Sequence, residues 1–359
     1  MALPSGLAAQ WVAQDETVYG TVPTWSSPPS TIFDSDTVKL VKTPKEGTGI
    51  YAGALVAKSA RRVITEYAVQ GGLPGELPAQ GLNRWLFRMF GSFGQSAATL
   101  TQDGTTGAYS ATHIPGDLTG HSFALQAGRP DTGGTVTPYT YVGCKVSEWE
   151  ISATIGEIVK WTMTIEGRNE LATGYVSSAD GLNAAVPSLQ TYTAPPGGVF
   201  KWNQGALFYG GTPNTVAGVT SLTSPTQAGL LKSFSLKFTR PLDLTRYSPE
   251  KLGYRNEPLQ NGLVKITGQF VVEYLSSTAY YSAFANDTAT SLNLVFTGPA
   301  IGTGTDHSQM GLLMSNLRLE DGTPPNTGPA VLTQTIPISV YDDGVNNTLQ
   351  ATYWTLDTV

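Results

Sequence analysis

The stretch SEWEISATIGEIVKWTMTIE, residues 147–166, decides the fold class. Apolar side chains stand at every second position from Trp149 to Ala153 and again from Val159 to Ile165, and Gly156 lies between the two runs. A period of two that is interrupted by a tight turn predicts a β-hairpin with one buried face and one polar face. The polar positions of this hairpin are Glu148, Glu150, Ser152, Thr154, Lys160, Thr162, Thr164 and Glu166.

The composition extends this prediction to the whole chain. Of 359 residues, 40% are hydrophobic and 13% are charged, and the chain holds 40 glycines and 23 prolines. Enough apolar side chains for a core, together with many turn-forming residues, favour numerous short strands. Helical periodicity is found in residues 81–90, where an apolar stripe follows i, i+3, i+4 and i+7 spacing, and a second helix is predicted over 277–286. The sequence therefore predicts a mainly β protein.

The order of the predicted elements repeats along the chain. Each half gives a strand, a helix and then three strands. The matched ranges are 61–70 and 263–275, 80–91 and 277–286, 121–126 and 291–297, 142–155 and 311–320, and 158–166 and 331–341. We therefore expect an internal duplication: two antiparallel β-sandwich or half-barrel domains, each with one flanking α-helix, in residues 1–169 and 170–359, with a linker over 170–198. Coincidence is the alternative, because antiparallel proteins reuse few arrangements.

The residue types that carry catalysis are scattered. His113, His121 and His307 fall in predicted loops without metal-ligand spacing, so we expect solvated loop histidines. The single cysteine, Cys144, lies in an alternating strand and is expected to be a small buried residue rather than a nucleophile. Glu148 and Glu150 lie two apart on one strand face and could serve a glycosidase only with a facing partner, so a solvated or lumen-facing edge is favoured. The sequence therefore predicts no enzyme, no cofactor and no metal site.

The charge argues against tight nucleic-acid binding. The formal net charge is −6, whereas proteins that grip phosphates are usually basic. A surface past which DNA slides remains compatible with this charge. The sequence contains no run of 18 apolar residues, so no membrane-spanning helix is predicted. The opening MALPSGLAAQWVAQDE lacks the basic start and apolar run of a signal peptide, so we expect folding in the cytoplasm.

Several predicted loops are long. They cover 101–120, 127–138, 210–226, 299–310 and 321–330, and they hold mainly Gly, Thr, Pro and Asp. Loops of this length are usually functional or disordered. Contact with other subunits would suit them, and so would simple mobility.

Three segments resemble the tail tube proteins of long-tailed bacteriophages. The opening GLAAQWVAQDETVYGTVP, residues 6–23, is similar to the start of those proteins, in which a glutamine, an acidic pair and Tyr-Gly-Thr recur. The segment YTYVGCKVSEWEISATIGEIVKW, residues 139–161, followed by Glu-Gly-Arg at 166–168, looks like the central hairpin of that family. GQFVVEY, residues 268–274, adds to a similarity that covers most of the chain.

This resemblance implies a structural virion protein with two packed antiparallel sheets and a flanking helix. Rings of such subunits stack into a hollow tail tube, through which the tape-measure protein and the genome pass without specific binding. Terminator and tip proteins are the further partners implied, and the location is the virion tail, assembled in the host cytoplasm. A β-sandwich adhesin or carbohydrate-binding module is the alternative from another class.

One sheet of a tube subunit must line the bore, and the eight polar hairpin residues named above are the lumen candidates. Ordinary exposure on the outer surface is the alternative. We expect an acidic lumen, which would repel DNA phosphates. Two domains per chain would let three copies fill a ring that single-domain relatives build from six. The competing arrangement is a six-chain ring with the second half outside.

Overall fold

The computed structural model describes residues 5–25, 30–49, 53, 55–91, 100–172, 182–183, 185–193, 197–274, 276, 280–326, 328–329 and 331–358. Strands dominate this part of the chain. The first half contains β1 (Gln10–Asp15), β2 (Ser30–Thr31), β3 (Lys39–Glu46), β4 (Arg62–Glu76), α1 (Asn83–Phe90), β5 (Thr101–Gln102), β6 (Tyr109–His113), β7 (Phe123–Pro130), β8 (Val136–Thr154), β9 (Lys160–Gly167) and β10 (Asn169–Ala172).

The second half contains β11 (Gly205–Tyr209), β12 (Thr212–Val216), β13 (Val219–Thr223), β14 (Thr226–Gln227), β15 (Leu231–Thr239), β16 (Lys265–Glu273), α2 (Tyr281–Ala285), β17 (Thr290–Ala300), β18 (His307–Leu319), β19 (Thr333–Val340) and β20 (Leu349–Thr355). Short 3-10 helices lie at Gly6–Ala8, Ser59–Arg61, Trp202–Gln204 and Pro249–Lys251.

The two halves pair their strands in the same way. In the first half β3, β4, β9 and β8 are neighbours in that order, and β8 also pairs with β7 and β10. In the second half β15, β16, β19 and β18 are neighbours in that order, and β18 also pairs with β17 and β20. β7 pairs with β1, and β17 pairs with β11. All these pairings are antiparallel, so the repeated element order predicted from the sequence is also a repeated topology.

The halves are joined through one sheet. β15 pairs with the second part of β8, from Ser233 opposite Thr154 to Thr239 opposite Glu148. A sheet of eight strands, β3-β4-β9-β8-β15-β16-β19-β18, therefore crosses both halves, and α1 packs on its apolar face through Trp85 and Phe90. Trp149 stacks on Phe238 across the junction at 5.2 Å, and Phe90 of α1 lies 5.0 Å from Trp149. The predicted mainly β, sandwich-like fold is confirmed, and its core is continuous between the halves.

Two matched glycines let the sheet pack closely. Gly75 on β4 lies opposite Trp161, and Gly268 on β16 lies opposite Ile338. A Cβ atom at Gly268 would lie 2.4 Å from the carbonyl oxygen of Ser235, and one at Gly75 would lie 3.0 Å from Nε1 of Trp161. Both positions therefore exclude larger residues, Gly268 more strictly than Gly75.

The predicted helix over residues 80–91 is present as α1, but most of its polar face is not solvated. Asn83 and Arg88 are 1% and 4% exposed. Nε of Arg88 donates to Asp15 at 2.8 Å, and the guanidinium lies over the ring of Trp85. Asn83 and Arg88 are buried because His113 of β6 covers the first, and Asp15 of β1 and Phe123 of β7 cover the second, whereas Arg84 stays 36% exposed. The second helix is shorter than predicted, at Tyr281–Ala285, and residues 277–279 lie outside the described part.

Some predicted loops contain strands. Residues 101–120 include β5 and β6, and residues 210–226 form the hairpin β12–β13. His113 is therefore not a solvated loop histidine: it is fully buried in β6, its Nε2 lies 3.0 Å from Oδ1 of Asn83, and burial lowers its pKa to about 3. Residues 170–172, expected in a linker, belong to β10. Short polar strands without clear alternation gave no signal in the sequence. Cys144 is buried, as predicted.

Candidate functional site: the polar face of the shared sheet

A continuous row of residues, all of them polar except Pro74, crosses the shared sheet. Each member lies directly opposite the next in the strand register, so all of them stand on the face away from α1. The row runs through Pro74, Thr162, Glu150, Lys237, Thr267, Ser339 and Arg318. Asp34, just before β3, extends it, because its backbone N–H donates to the carbonyl oxygen of Pro74 at 2.9 Å.

The structure brings seven of the eight predicted lumen residues together on this face. Glu148, Glu150, Ser152 and Thr154 lie on β8, and Lys160, Thr162 and Thr164 lie beside them on β9; all are half-buried or exposed. Nζ of Lys237, on β15, lies 2.8 Å from Oε1 of Glu148. The face therefore continues from one half into the other, which the sequence pattern of the hairpin did not reveal.

The face carries nearly balanced charge. Its acidic members include Glu76, Glu148, Glu150, Glu273 and Glu320, and its basic members include Lys160, Lys237, Lys265 and Arg318. Lys39 on β3 and Glu66 on β4 add one charge of each sign, and Lys232, at the bulge of β15, pairs with Glu273. Hydroxyl and amide side chains occupy most other positions. The face has no basic stripe that would hold phosphates, although it is less acidic than expected.

Glu166 differs from the other seven candidates. It is 7% exposed, and Nη1 of Arg255 donates to its Oε2 at 2.8 Å. Arg255 belongs to residues 240–264, which connect β15 to β16 and which we call the connecting segment. This segment covers one end of the polar face of the first half, so Glu166 is an internal ion-pair partner in this chain.

The connecting segment makes further ionic contacts with the first half. Nζ of Lys145, a fully buried side chain, donates to Oε1 of Glu257 at 2.7 Å and to the carbonyl oxygen of Leu118 at 2.7 Å. Burial lowers the pKa of Lys145, and the bond to Glu257 opposes that shift. Arg240 donates through Nη2 to the carbonyl oxygen of Phe90 at 2.7 Å. Sequence reasoning missed this network; a lysine within the apolar run around Cys144 was the available signal.

A buried carboxyl group lies near this network. Glu16 accepts hydrogen bonds from Oγ of Ser122 at 2.6 Å, from N of Gly143 at 2.7 Å and from N of Gly20 at 2.8 Å. Burial nevertheless raises the pKa of Glu16 to about 7, because desolvation of the charged form outweighs the donors and the nearby Arg168. Glu16 belongs to the acidic pair of the N-terminal segment, and its donors tie that segment to β8.

Neither a metal centre nor a membrane span is found in the described residues. No group of three or more His, Cys, Asp or Glu side chains there is placed to hold a metal ion. Across the same ranges, no helix has the length and apolar character needed to cross a membrane.

The fold defines a class of protein: a mainly β, sandwich-like chain with a duplicated topology and one polar sheet face shared by both halves. The model of a family described as phage tail tube protein matches residues 6–340. Since the match spans nearly the whole chain, this protein belongs to that family, and a role as a structural tail component follows. No curated protein matches the chain.

Proposed function

We propose that the chain is a non-enzymatic building block that assembles into stacked rings, and that these form the hollow tube through which phage DNA passes during ejection. The observation that carries this proposal is the shared sheet, whose polar face runs without a break through two halves of equal topology. A subunit of this shape can contribute a curved wall with one wet face. The family assignment favours this role over an adhesin or a carbohydrate-binding module.

We propose three copies in each ring. The two halves present equivalent strands in the same order, so each copy would fill two of six places around the bore. Eight strands of the shared sheet per copy would then give a closed wall without exposed sheet edges. The competing six-chain ring needs the second half to stand outside the lumen, which is harder to reconcile with a sheet that both halves share.

The lumen lining in this proposal is the polar face of the shared sheet. It includes Glu148, Glu150, Ser152, Thr154, Lys160, Thr162 and Thr164, and we leave Glu166 out because it is paired with Arg255. Balanced charge and many hydroxyl groups support transit of DNA without specific binding, since no cluster of cations is available to release counterions. The further partners proposed are the tape-measure protein inside the tube and the terminator and tip proteins at its ends, with assembly in the host cytoplasm.

Electron microscopy of the purified protein tests the assembly. Hollow polymers or rings are expected on concentration, and class averages of end views should have threefold symmetry with six similar lobes. Discrete compact particles at every salt concentration and protein concentration would contradict the tube role. Six separate chains around the ring, counted by native mass spectrometry, would contradict the three-copy arrangement alone.

Lysine substitutions test which face lines the bore. Thr162→Lys with Thr164→Lys adds two cations per chain on β9, away from the junction between β8 and β15. If this face lines the bore, phage carrying the variant should eject DNA more slowly, and the defect should shrink at high salt because phosphate contacts are screened. Thr297→Lys, at an exposed position on β17 outside the shared sheet, is the matched control and should eject normally. Equal ejection by both variants would contradict the lumen assignment.

A further inference from the structure

The junction between the halves is a complete strand-to-strand seam. Seven residues of β15 pair with seven of β8. The seam is extended at both ends, where N of Arg240 donates to O of Ser147 at 2.8 Å and N of Ile155 donates to O of Lys232 at 2.9 Å. Because the halves have the same topology, the chain contains the matching parts of a second seam: β18 corresponds to β8, and the segment that enters β3 corresponds to β15.

The register of the shared sheet brings these parts to its two ends. The polar row begins at Asp34 and ends at Arg318, with the paired Glu150 and Lys237 in its middle. The row divides into two matched sets of four residues, one from Asp34 to Glu150 in the first half and one from Lys237 to Arg318 in the second. Asp34 in the first set corresponds to Lys237 in the second, and Glu150 in the first set corresponds to Arg318 in the second. If a second copy continues the row, Arg318 meets Asp34 of that copy with no change of register. The charges are opposite, as they are at the internal seam, but their signs are exchanged.

Both ends of the row are accessible in the single chain. Asp34 is exposed, and the neighbouring Ile32 is 53% exposed although it is apolar. At the other end, the pairing of β17 with β18 stops at Thr290, which lies opposite Leu317. Beyond Leu317, β18 pairs with β19 on one side, and on its other side no strand pairs with it within the described residues. An open edge of this kind is a template for pairing with another strand.

Unsatisfied polar atoms lie beside the open edge of β18. Nη1 of Arg318 and Oγ of Ser315 are buried without a hydrogen-bond partner, and Ser315 is 4% exposed. Both residues line a groove of about 430 Å³, together with Ser291, Asn316 and Asp343. Buried polar groups in native proteins are nearly always hydrogen-bonded, so both atoms can bond to a polar group that enters the groove.

The groove is the counterpart of a site that is filled in the first half. Ser315 matches Ser147, whose carbonyl oxygen accepts from Arg240, and Asp343 matches Glu166, which binds Arg255. On the first half, the connecting segment that follows β15 lies at this place. The element that follows the Asp34 segment is the hairpin β3–β4, and residues 39–66 hold six basic and two acidic residues in a chain of net charge −6.

The surroundings of the groove have the complementary charge. Asp343 lines it, Asp287 lies 3.5 Å from Arg318, and Glu320 and Asp321 follow β18 directly. A basic hairpin from another copy therefore fits this side of the second half better than a neutral or acidic partner would.

We infer that the open edge at the end of β18, from Arg318 to Glu320, pairs antiparallel with residues 32–34 of a second copy of this chain, with Arg318 opposite Asp34, and that hairpin β3–β4 of that copy lies over the adjoining groove. This inference rests on the proposed assembly into rings and specifies its contact between chains. The exchanged signs make the two seams incompatible, because a mispaired chain would bring Glu150 against Asp34 or Arg318 against Lys237.

Disulfide trapping between two single-cysteine variants tests the contact. Asp34→Cys and Arg318→Cys are made in separate chains, mixed during assembly and oxidised. Directly opposite strand residues have Cβ atoms about 5 Å apart, close to the reach of a disulfide. A covalent dimer is expected from the mixture and from neither variant alone, and Cys144 is buried and should not compete. Ile32→Cys with Glu320→Cys, one step along the same edge, is the second pair.

Leu263→Cys mixed with Arg318→Cys is the matched control, since Leu263 is 92% exposed and lies outside both edges. Rings seen by electron microscopy without cross-linking of either edge pair would overturn this contact and leave the tube role intact. Absence of rings and of cross-links in every mixture would overturn both.

Charge reversal gives an independent readout in the intact chain. Asp34→Lys or Arg318→Glu alone should raise the protein concentration needed for polymerisation on the order of tenfold, because like charges then face each other. The chain that carries both changes should polymerise nearly as well as the natural chain. Equal impairment of the double variant and the single variants would contradict the pairing of these two residues.

Discussion

The two halves share a topology, but their matched positions differ in chemistry. Lys145 and Leu313 both stand two residues after a glycine in the matched strands β8 and β18, and the first is part of an ionic network while the second is an apolar core residue. Glu16 directly follows β1 and its backbone N–H donates to O of Ser122, whereas Gly210 directly follows β11 and its backbone N–H donates to O of Ser291, so the second half has a glycine where the first has a buried carboxyl group. The first half is covered by the connecting segment of its own chain, whereas the matched surface of the second half is an open groove.

The two surfaces differ because one meets its partner within the same chain and the other meets it only on assembly. Two segments of one chain are always at high effective concentration relative to each other, so the contact between them can include buried ion pairs that need precise geometry. The matched surface of the second half has to remain soluble until a partner arrives, so it displays polar groups at an open edge. The two halves are therefore two versions of one fold: the connecting segment of the same chain covers the first, and the matched surface of the second is open to another chain. Four predictions test this comparison, from the largest expected effect to the smallest.

Removing the ion pair between Arg255 and Glu166 should cause the largest loss of stability, because it lies where the connecting segment packs on the first half. Arg255→Met leaves Glu166 buried without its partner, and we expect a loss of about 3 kcal/mol in the free energy of unfolding. The double variant Arg255→Met with Glu166→Leu should recover much of this loss, because no uncompensated charge stays buried. Urea unfolding of both variants measures the effect. Asp343→Asn, the matched change in the second half, should alter stability by less than about 0.5 kcal/mol.

Protonation of Glu16 should make the stability of the first half depend on pH. The pKa of Glu16 is raised from 4.5 to about 7 in the folded chain, so the folded state holds the proton more tightly than the unfolded state. Its contribution is therefore fully present below pH 4.5 and is lost as pH rises to about 7, a change of about 3 kcal/mol. Glu16→Gln should remove this decline.

The measurement is the difference in unfolding free energy between the natural chain and Glu16→Gln from pH 4.5 to pH 8. Phe208→Leu, on β11 of the second half, provides the control, since neither side chain titrates and its effect should be independent of pH. A constant difference for Glu16→Gln over the whole range would show that folding does not raise the pKa of the carboxyl group.

Adding a methyl group at either of the matched glycines should destabilise the protein, and the size of the loss should differ between the halves because the two glycines are packed differently. Gly268→Ala places a Cβ atom 2.4 Å from a backbone oxygen, which cannot move without disturbing β15. We expect a loss of about 2 kcal/mol in stability, and about 1 kcal/mol for Gly75→Ala, whose nearest contact is a side-chain atom. Thermal unfolding of both variants ranks them, and a larger loss for Gly75→Ala would contradict this account of the packing.

Breaking the ion pair on the polar face should have the smallest effect. Lys237 and Glu148 keep 43% and 35% of their side-chain surface exposed, so solvent screens their attraction. Lys237→Gln is expected to lower the free energy of unfolding by less than about 1 kcal/mol. Arg318→Gln, at the outer end of the same polar row, should leave the isolated chain unchanged and weaken only polymerisation. Sedimentation and urea unfolding, done in parallel, distinguish the two.

The strands and their polar faces were largely predictable because each depends on local alternation. The hairpin of β8 and β9, helix α1 and the burial of Cys144 follow from side-chain spacing alone. The burial of His113 and Arg88 did not, since the strands that cover them come from distant parts of the chain. The lumen candidates were found as a polar face, but the partner of Glu166 lies 89 residues away.

By itself the sequence determined a mainly β chain, the repeated order of its elements, the polar face of its central hairpin and its resemblance to tail tube proteins. These properties reside in short-range periodicity and segment order. Only the tertiary structure decided that both halves share one sheet, that the connecting segment covers the first half, and that Asp34 and Arg318 end the same row. Strand register between distant segments is set by long-range packing and turn geometry, which leave no local pattern in the chain.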